Sequence, residues 1–134
     1  MVTHLHFREW ADFKVPETTE SMIEFCQATR QHLGNSNNGL ILAHCSAGVG
    51  RTGTLITVDI LLQAVADGKK IDVFGTVFRL RHERMMMVQT DVSIYYFFFN
   101  LSNAKHGGKY WNRSRGKRDF KGSPGKDYGT HCLN

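Results

Sequence analysis

HCSAGVGRTG, residues 44–53, is the stretch that decides the fold of this chain. An apolar run at residues 40–43, LILA, precedes it and predicts a short buried strand. A helical pattern at residues 54–66 follows it. The stretch is therefore predicted to form a loop that joins a strand to a helix, at the N-terminal end of that helix.

The composition of this loop suits the binding of a dianion. Its backbone N–H groups can point into one concavity, and the following helix adds the positive end of its dipole. Gly48 and Gly50 permit a close backbone approach that a Cβ would hinder. Arg51 offers a planar fork to two phosphate oxygens. The predicted phosphate-binding residues are Ser46, Ala47, Gly48, Val49, Gly50 and Arg51.

Cys45 is predicted to be a nucleophile. The N–H donors and the helix dipole stabilise its thiolate, so its pKa is expected well below the free value of about 8.5. Thr52 is placed to hydrogen-bond the thiolate and to help it leave, and His44 is expected to orient the loop. The alternative is an inert buried cysteine beside a helix cap. Under that alternative the pattern His-Cys-x-x-Gly-x-x-Arg-Ser/Thr-Gly would occur here by chance. Average residue usage gives such a match on the order of once in a hundred million start positions.

This stretch resembles the active-site loop of the tyrosine-specific protein phosphatases, which use a catalytic cysteine. Two further stretches match, in the order that the family has them. WADFKVP, residues 10–16, resembles the mobile loop that carries the general acid. RHER and MVQT, residues 81–84 and 87–90, resemble the loop whose glutamine positions the hydrolytic water. The resemblance runs from about residue 2 to residue 103 and covers the C-terminal part of the family's catalytic domain.

The resemblance implies a fold and an activity. The expected fold is α/β, a truncated tyrosine-phosphatase-like fold in which short strands of a central sheet are flanked by helices. The expected activity is hydrolysis of phosphotyrosine in proteins through a cysteinyl-phosphate, in signalling, with no metal and no other cofactor. The expected location is the cytoplasm, either for the chain itself or for the cytoplasmic part of a larger receptor-type parent.

The same resemblance assigns roles to single residues. Asp12 is expected to be the general acid, Gln89 to place the hydrolytic water, and Trp10 to anchor the mobile loop. Phe13 is expected to support the site by stacking on the phenyl ring of the substrate. Simpler roles remain open for each: a turn residue for Asp12, a surface residue for Gln89, and a cover of the core for Phe13.

Several features depart from the family's pattern. Ala11 replaces the usual proline and Lys14 the usual glycine, which predicts slower closure of the acid loop and lower turnover. Ser93 replaces a second glutamine, which predicts looser control of the water. The N-terminal part of the family's domain, with most of the central sheet and the loop that grips phosphotyrosine, has no counterpart here. An inactive fragment, or a pseudophosphatase that binds phosphotyrosine without turnover, is therefore an alternative.

A dual-specificity phosphatase is a second alternative. That group shares the loop from the cysteine to the arginine. It usually lacks the tryptophan-anchored acid loop and the Val-Gln-Thr element, and this chain has both.

Composition and charge divide the chain in two. Residues 1–104 carry 9 Lys and Arg against 10 Asp and Glu, a net charge of −1. Residues 105–134 carry 8 against 2, a net charge of +6, with 6 of the 13 glycines. Residues 1–104 are therefore predicted to be the phosphatase portion and residues 105–134 a basic, disordered tail. The tail is either a solvated extension or an arm that contacts acidic surfaces.

The remaining patterns give a coarse secondary structure. No apolar run is long enough to span a membrane, and the three cysteines show no paired spacing, which suits a reducing compartment. A strand is predicted at residues 4–7, a helix after Thr18, a turn at 34–39, and helices at 54–67, from Asp72, and at 90–104.

Overall fold

The computed structural model describes residues 2–10, 16, 18–34, 40–90, 93 and 130–133. In chain order these residues form β1 (Val2–Leu5), α1 (Thr19–Gly34), α2 (Gly50–Ala66), α3 (Val73–Glu83) and β2 (Thr130–Leu133). The described part of the chain is therefore mostly helical.

The central element is α2, which packs against α1 on one side and α3 on the other. The main apolar cluster gathers buried side chains from these helices and from the segments beside them: Trp10, Met22, Ile23, Cys26, Val58, Leu62, Val77 and Val88. A smaller cluster joins Leu61 of α2 to Val73 of α3. Because the 44–53 stretch runs into the N-terminal end of α2, this packing sets the position from which the loop starts into the helix.

The helix boundaries follow from local side-chain chemistry. Thr18 lies directly before α1, and the Ser21 hydroxyl donates to its carbonyl at 3.0 Å. The Asp72 carboxylate accepts the Gly75 N–H at 2.8 Å and caps α3. Gly68, at φ +67°, follows the end of α2 in the left-handed region that glycine favours. These three predicted boundaries are confirmed.

α2 begins at Gly50, four residues before the predicted start. The Gly53 N–H already donates to the Val49 carbonyl at 3.1 Å, so the first helical hydrogen bond closes inside the motif itself. The N-terminal end of the helix therefore lies closer to Cys45 than the periodicity of apolar residues indicated.

An ion pair fastens α1 to α2. The Arg30 Nε donates to Asp59 Oδ1 at 2.8 Å, and its Nη2 donates to the other carboxylate oxygen. The Gln63 side chain also donates to Asp59, at 3.0 Å. The pair is partly exposed to solvent, so it contributes little to the free energy of unfolding.

The strand content differs from the prediction. β1 covers Val2–Leu5 rather than 4–7, because Phe7 leaves the strand to pack on Phe25, with ring centroids 5.1 Å apart. β1 pairs antiparallel with β2, with Val2 opposite Leu133 and Leu5 opposite Thr130. β2 lies within the tail of residues 105–134. The rest of that tail lies outside the described residues, so its disorder stays a prediction.

The buried strand predicted at residues 40–43 is wrong. The segment forms no strand, and Leu42 is 90% exposed. A strand needs hydrogen-bond partners along at least one edge. In the described part of the chain the two strands pair only with each other, so the apolar run pairs with no strand.

Two further predicted elements lie mostly outside the residues that the structure describes. Of the turn at 34–39, residues 35–39 lie outside the described residues. Of the helix at 90–104, the structure describes only Thr90 and Ser93.

Candidate active site

The loop at residues 44–50 gathers hydrogen-bond donors around the Cys45 sulfur. The Gly48 N–H donates to Sγ at 3.2 Å. Gly48 has a φ of +72°, a conformation that glycine adopts without strain. Thr52 Oγ1 is buried and has no hydrogen-bond partner within normal distance in the described part of the chain, and the Thr52 side chain acts on the Cys45 thiol by lowering its pKa. The loop therefore surrounds one sulfur atom with N–H and O–H donors.

These donors change the acidity of the thiol. Partial burial on its own raises the pKa of Cys45. Hydrogen bonds from the Thr52 side chain and from the backbone N–H groups of Thr52, Gly48 and Val49 outweigh burial and lower that pKa to about 7. At neutral pH a large fraction of Cys45 is therefore thiolate, the form that attacks electrophiles.

Cys26 shows the opposite effect in the same fold. It is buried in the core between α1 and α2. Burial, and then the nearby Asp59 carboxylate, raise the pKa of this thiol. The two cysteines are thus matched probes of reactivity, one beside N–H donors and one in an apolar environment.

We expect iodoacetamide to alkylate Cys45 quickly, with a rate that rises with pH and reaches half of its maximum near pH 7. The rise follows the thiolate fraction, which increases as pH passes upward through the pKa. Cys26 is expected to remain unmodified in the folded chain because it is buried and its pKa is raised. Peptide mapping by mass spectrometry measures both rates. Equal labelling of the two cysteines at pH 6 would contradict the conclusion that Cys45 is the more acidic and reactive thiol.

Arg51 lies in the first turn of α2 and bridges two parts of the site. Its Nη2 donates to Ser46 Oγ at 2.8 Å, and its Nη1 donates to the Trp10 carbonyl at 3.2 Å. Trp10 is buried in the main cluster and meets Phe7 edge to face, with centroids 6.4 Å apart. The predicted phosphate ligand thus also contacts the residue that begins the WADFKVP stretch.

The other predicted site residues fall in three groups. Asp12 and Phe13, together with Ala11 and Lys14, lie outside the described residues. His44 is exposed, and its Nδ1 lies 3.4 Å from the Cys45 carbonyl oxygen.

Gln89 forms the third group, the predicted site residues that lie beside the loop at residues 44–50. A Cβ placed on Gly50 would lie 3.1 Å from its Oε1. The structure therefore brings Gln89 beside the residues that surround Cys45. Its side chain lies next to the predicted phosphate-binding loop.

Two arginines contact the site although the sequence analysis gave them no role. The Arg84 Nη2 donates to the Ala47 carbonyl at 3.1 Å. Arg81 donates from Nε to the Met87 carbonyl at 3.0 Å and from Nη2 to the Val88 carbonyl at 2.9 Å. Their spacing of three residues at the end of a predicted helix, just before MVQT, was the signal available in the sequence.

Gly53 allows the glutamine-bearing turn to approach α2. The Val88 N–H donates to the Val49 carbonyl at 3.0 Å. A Cβ on Gly53 would lie 2.4 Å from the Val88 nitrogen, which is closer than real contacts permit. Since the obstructing atom belongs to the backbone, a larger residue at position 53 must push the whole turn away.

Gly53→Ala is therefore expected to destabilise the fold by about 1–3 kcal/mol, as overpacking does, and also to lower turnover. Gly68→Ala is the matched control. It meets no atom within 4 Å but is strained at φ +67°, so it is expected to lower stability and leave turnover unchanged. Thermal unfolding and a phosphatase assay on both variants make the comparison. Unchanged turnover in Gly53→Ala would show that the close approach has no part in the site.

A cavity of about 680 Å³ adjoins the loop. Cys45, Arg51 and Thr52 line one part of it, and apolar side chains such as Met22 and Phe25 line another. The site thus has the chemistry to hold a dianion against a thiolate, beside a partly apolar space. Among the described residues, no group of three His, Cys, Asp or Glu side chains could hold a metal ion, and no helix is long and apolar enough to cross a membrane.

Comparison with known proteins agrees with this geometry. A family model described as protein-tyrosine phosphatase matches residues 1–103. The chain is 44% identical over 98 residues to receptor-type tyrosine-protein phosphatase epsilon of Rattus norvegicus, covering 73% of the chain and 14% of that protein. It is 40% identical over 98 residues to the alpha form of Homo sapiens, covering 73% and 12%.

A third relative is receptor-type tyrosine-protein phosphatase eta of Gallus gallus. The chain is 44% identical to it over 100 residues, which covers 74% of the chain and 7% of that protein. The chain thus spans between 7% and 14% of the length of these relatives.

Proposed function

Because the chain belongs to the protein-tyrosine phosphatase family, we propose that it hydrolyses phosphotyrosine in proteins through a cysteinyl-phosphate on Cys45. One observation supports this most strongly. The Cys45 thiol has its pKa lowered to about 7 by N–H and O–H donors of a loop that ends in Arg51. A thiolate nucleophile thus lies where a phosphate dianion would also find donors.

The first step transfers the phosphoryl group to the enzyme. The Cys45 thiolate attacks phosphorus, the S–P bond forms and the bond from phosphorus to the tyrosyl oxygen breaks. Asp12 gives its proton to the leaving phenolate. The loop N–H groups and the Arg51 fork hold the equatorial oxygens, and they act most strongly in the transition state, where charge develops.

The second step regenerates the enzyme. A water molecule, held by Gln89 and deprotonated by Asp12, attacks phosphorus and releases inorganic phosphate. The Cys45 thiolate leaves with the electron pair of the S–P bond. The buried Thr52 hydroxyl, which has no hydrogen-bond partner among the described residues, is free to donate to that leaving thiolate.

The cellular setting is part of the same proposal. A catalytic thiolate persists in a reducing compartment, and the relatives that match are named receptor-type phosphatases. We therefore place the phosphatase in the cytoplasm, either alone or as the cytoplasmic part of a receptor-type parent. Its partners are then phosphotyrosine-containing proteins, and the basic tail is proposed to contact acidic surfaces.

The test compares a phosphotyrosine peptide with a phosphoserine peptide of otherwise identical sequence. We expect phosphate release from the first only. Release from both would indicate a dual-specificity phosphatase. Binding of the phosphotyrosine peptide without release would indicate a pseudophosphatase, and neither binding nor release would contradict the proposed function for this chain.

A further inference from the structure

The turn that carries Gln89 has an unfavourable backbone. Met86 has a φ of +64° and Val88 a φ of +59°, in the left-handed region. A Cβ disfavours that region, and β-branched valine is among the residues least suited to it. The turn therefore keeps its shape only if contacts with the rest of the structure hold it.

Arg81 supplies such contacts from the side of α3. Its Nε and Nη2 donate to the carbonyls of Met87 and Val88, at 3.0 and 2.9 Å. A guanidinium is planar and its donors have a fixed geometry, so two bonds from one group fix two successive peptide units. These units are the last before Gln89.

The loop at residues 44–50 holds the same turn from the other side. The Val88 N–H donates to the Val49 carbonyl at 3.0 Å, and the Val88 side chain is fully buried in the main cluster. The turn is thus fixed between Arg81 and the loop. Its position relative to Cys45 depends on both contacts.

The position of the Gln89 side-chain amide depends on this backbone. Its side chain is exposed and makes no hydrogen bond to any described residue, yet its Oε1 lies close to Gly50. Because no hydrogen bond among the described residues orients the amide, the peptide units before it set its position beside Gly50.

We propose that Arg81 is a positioning residue for the second step of the reaction, an inference that rests on the proposed function. In that step the water oxygen bonds to phosphorus, its proton passes to the Asp12 carboxylate, and the S–P bond breaks to return the thiolate. Arg81 touches none of these atoms. Its loss misplaces Gln89 and slows this step, while the attack of Cys45 on the substrate stays unchanged.

Two neighbouring arginines, Arg84 and Arg79, provide comparisons for the loss of Arg81. Arg84 donates to the carbonyl of Ala47, which belongs to the loop at residues 44–50 itself. Its loss is therefore expected to slow the first step. Arg79 lies on the same helix, is exposed, and has no hydrogen bond or ion pair within the described part of the chain. Arg79→Ala is the matched control.

The experiment is a rapid-quench study of the full chain with para-nitrophenyl phosphate. The burst of nitrophenol reports phosphorylation of Cys45, and the steady state reports hydrolysis of the cysteinyl-phosphate. For Arg81→Ala we expect a burst rate within about twofold of the parent chain. We also expect a kcat lower by about tenfold or more, as small misplacements produce, a lower KM, and more trapped phosphoenzyme. Arg79→Ala is expected to match the parent.

Two outcomes overturn the inference while the parent chain is active. In one, burst and steady state fall together in Arg81→Ala. In the other, Arg81→Ala behaves as Arg79→Ala does. A parent chain with neither burst nor turnover instead contradicts the proposed function, and the inference with it. Circular dichroism verifies folding, and if Arg81→Ala unfolds, Arg81→Gln, which lacks the planar guanidinium fork, takes its place.

Discussion

Cys45→Ser is expected to lose turnover of a phosphotyrosine peptide by about 10³-fold or more, since removing the nucleophile removes the covalent route. A serine hydroxyl stays protonated where the Cys45 thiol, with its pKa near 7, ionises. The loop N–H groups and Arg51 remain, so we expect the variant still to bind the peptide. Initial rates of phosphate release and peptide binding by fluorescence anisotropy measure the two effects.

Cys26→Ala is the matched control for this change. Cys26 lies in the core, and its sulfur is buried with a raised pKa. Its replacement is expected to lower stability slightly and to leave the catalytic rate in place. If Cys45→Ser kept the parent's rate, the covalent mechanism would be excluded.

Arg51→Lys is expected to lower kcat/KM by about 10²–10³-fold, the usual effect of losing a donor aimed at developing charge. Lysine keeps the positive charge but not the planar fork. It therefore cannot reproduce the paired contacts with Ser46 and the Trp10 carbonyl, nor hold two phosphate oxygens at once. Steady-state kinetics on the phosphotyrosine peptide measure the loss.

Arg79→Lys is the control for the change of cation, because Arg79 is exposed on α3 and has no hydrogen bond or ion pair among the described residues. A loss below about fivefold in Arg51→Lys would mean that charge alone suffices. Arg51 would then act as a general electrostatic group rather than as a two-point phosphate ligand.

The parts of this molecule that sequence predicts well are local ones. Thr18, Gly68 and Asp72 mark helix boundaries through bonds or backbone angles that involve only near neighbours. The lowered pKa of Cys45 also comes from residues within seven positions along the chain. Short-range chemistry of this kind can be recognised in a printed sequence.

The parts that sequence did not predict depend on distant segments. Residues 40–43 have the composition of a buried strand, but a strand forms only beside another strand. β1 finds its partner at Thr130–Leu133, more than a hundred residues away along the chain. No periodicity in either segment predicts that pairing.

Arg84, directly after the end of α3, shows the same limit within the site. Arg84 reaches Ala47 across 37 positions. Gly53 belongs to the loop motif, but its close approach to Val88, 35 positions away, depends on the fold and has no signal in the local sequence. The lowered pKa of Cys45 could therefore be predicted from the motif, and the long-range contacts that hold the loop could not.

The measurement that tests the account most directly is to trap the covalent intermediate. The chain is mixed with a phosphotyrosine peptide, quenched in acid within milliseconds, digested and mapped by mass spectrometry. The account predicts one phosphoryl group on the peptide that contains Cys45, absent from the Cys45→Ser chain. Phosphate release without any phosphorylated cysteine, or a phosphoryl group on another residue, would contradict it.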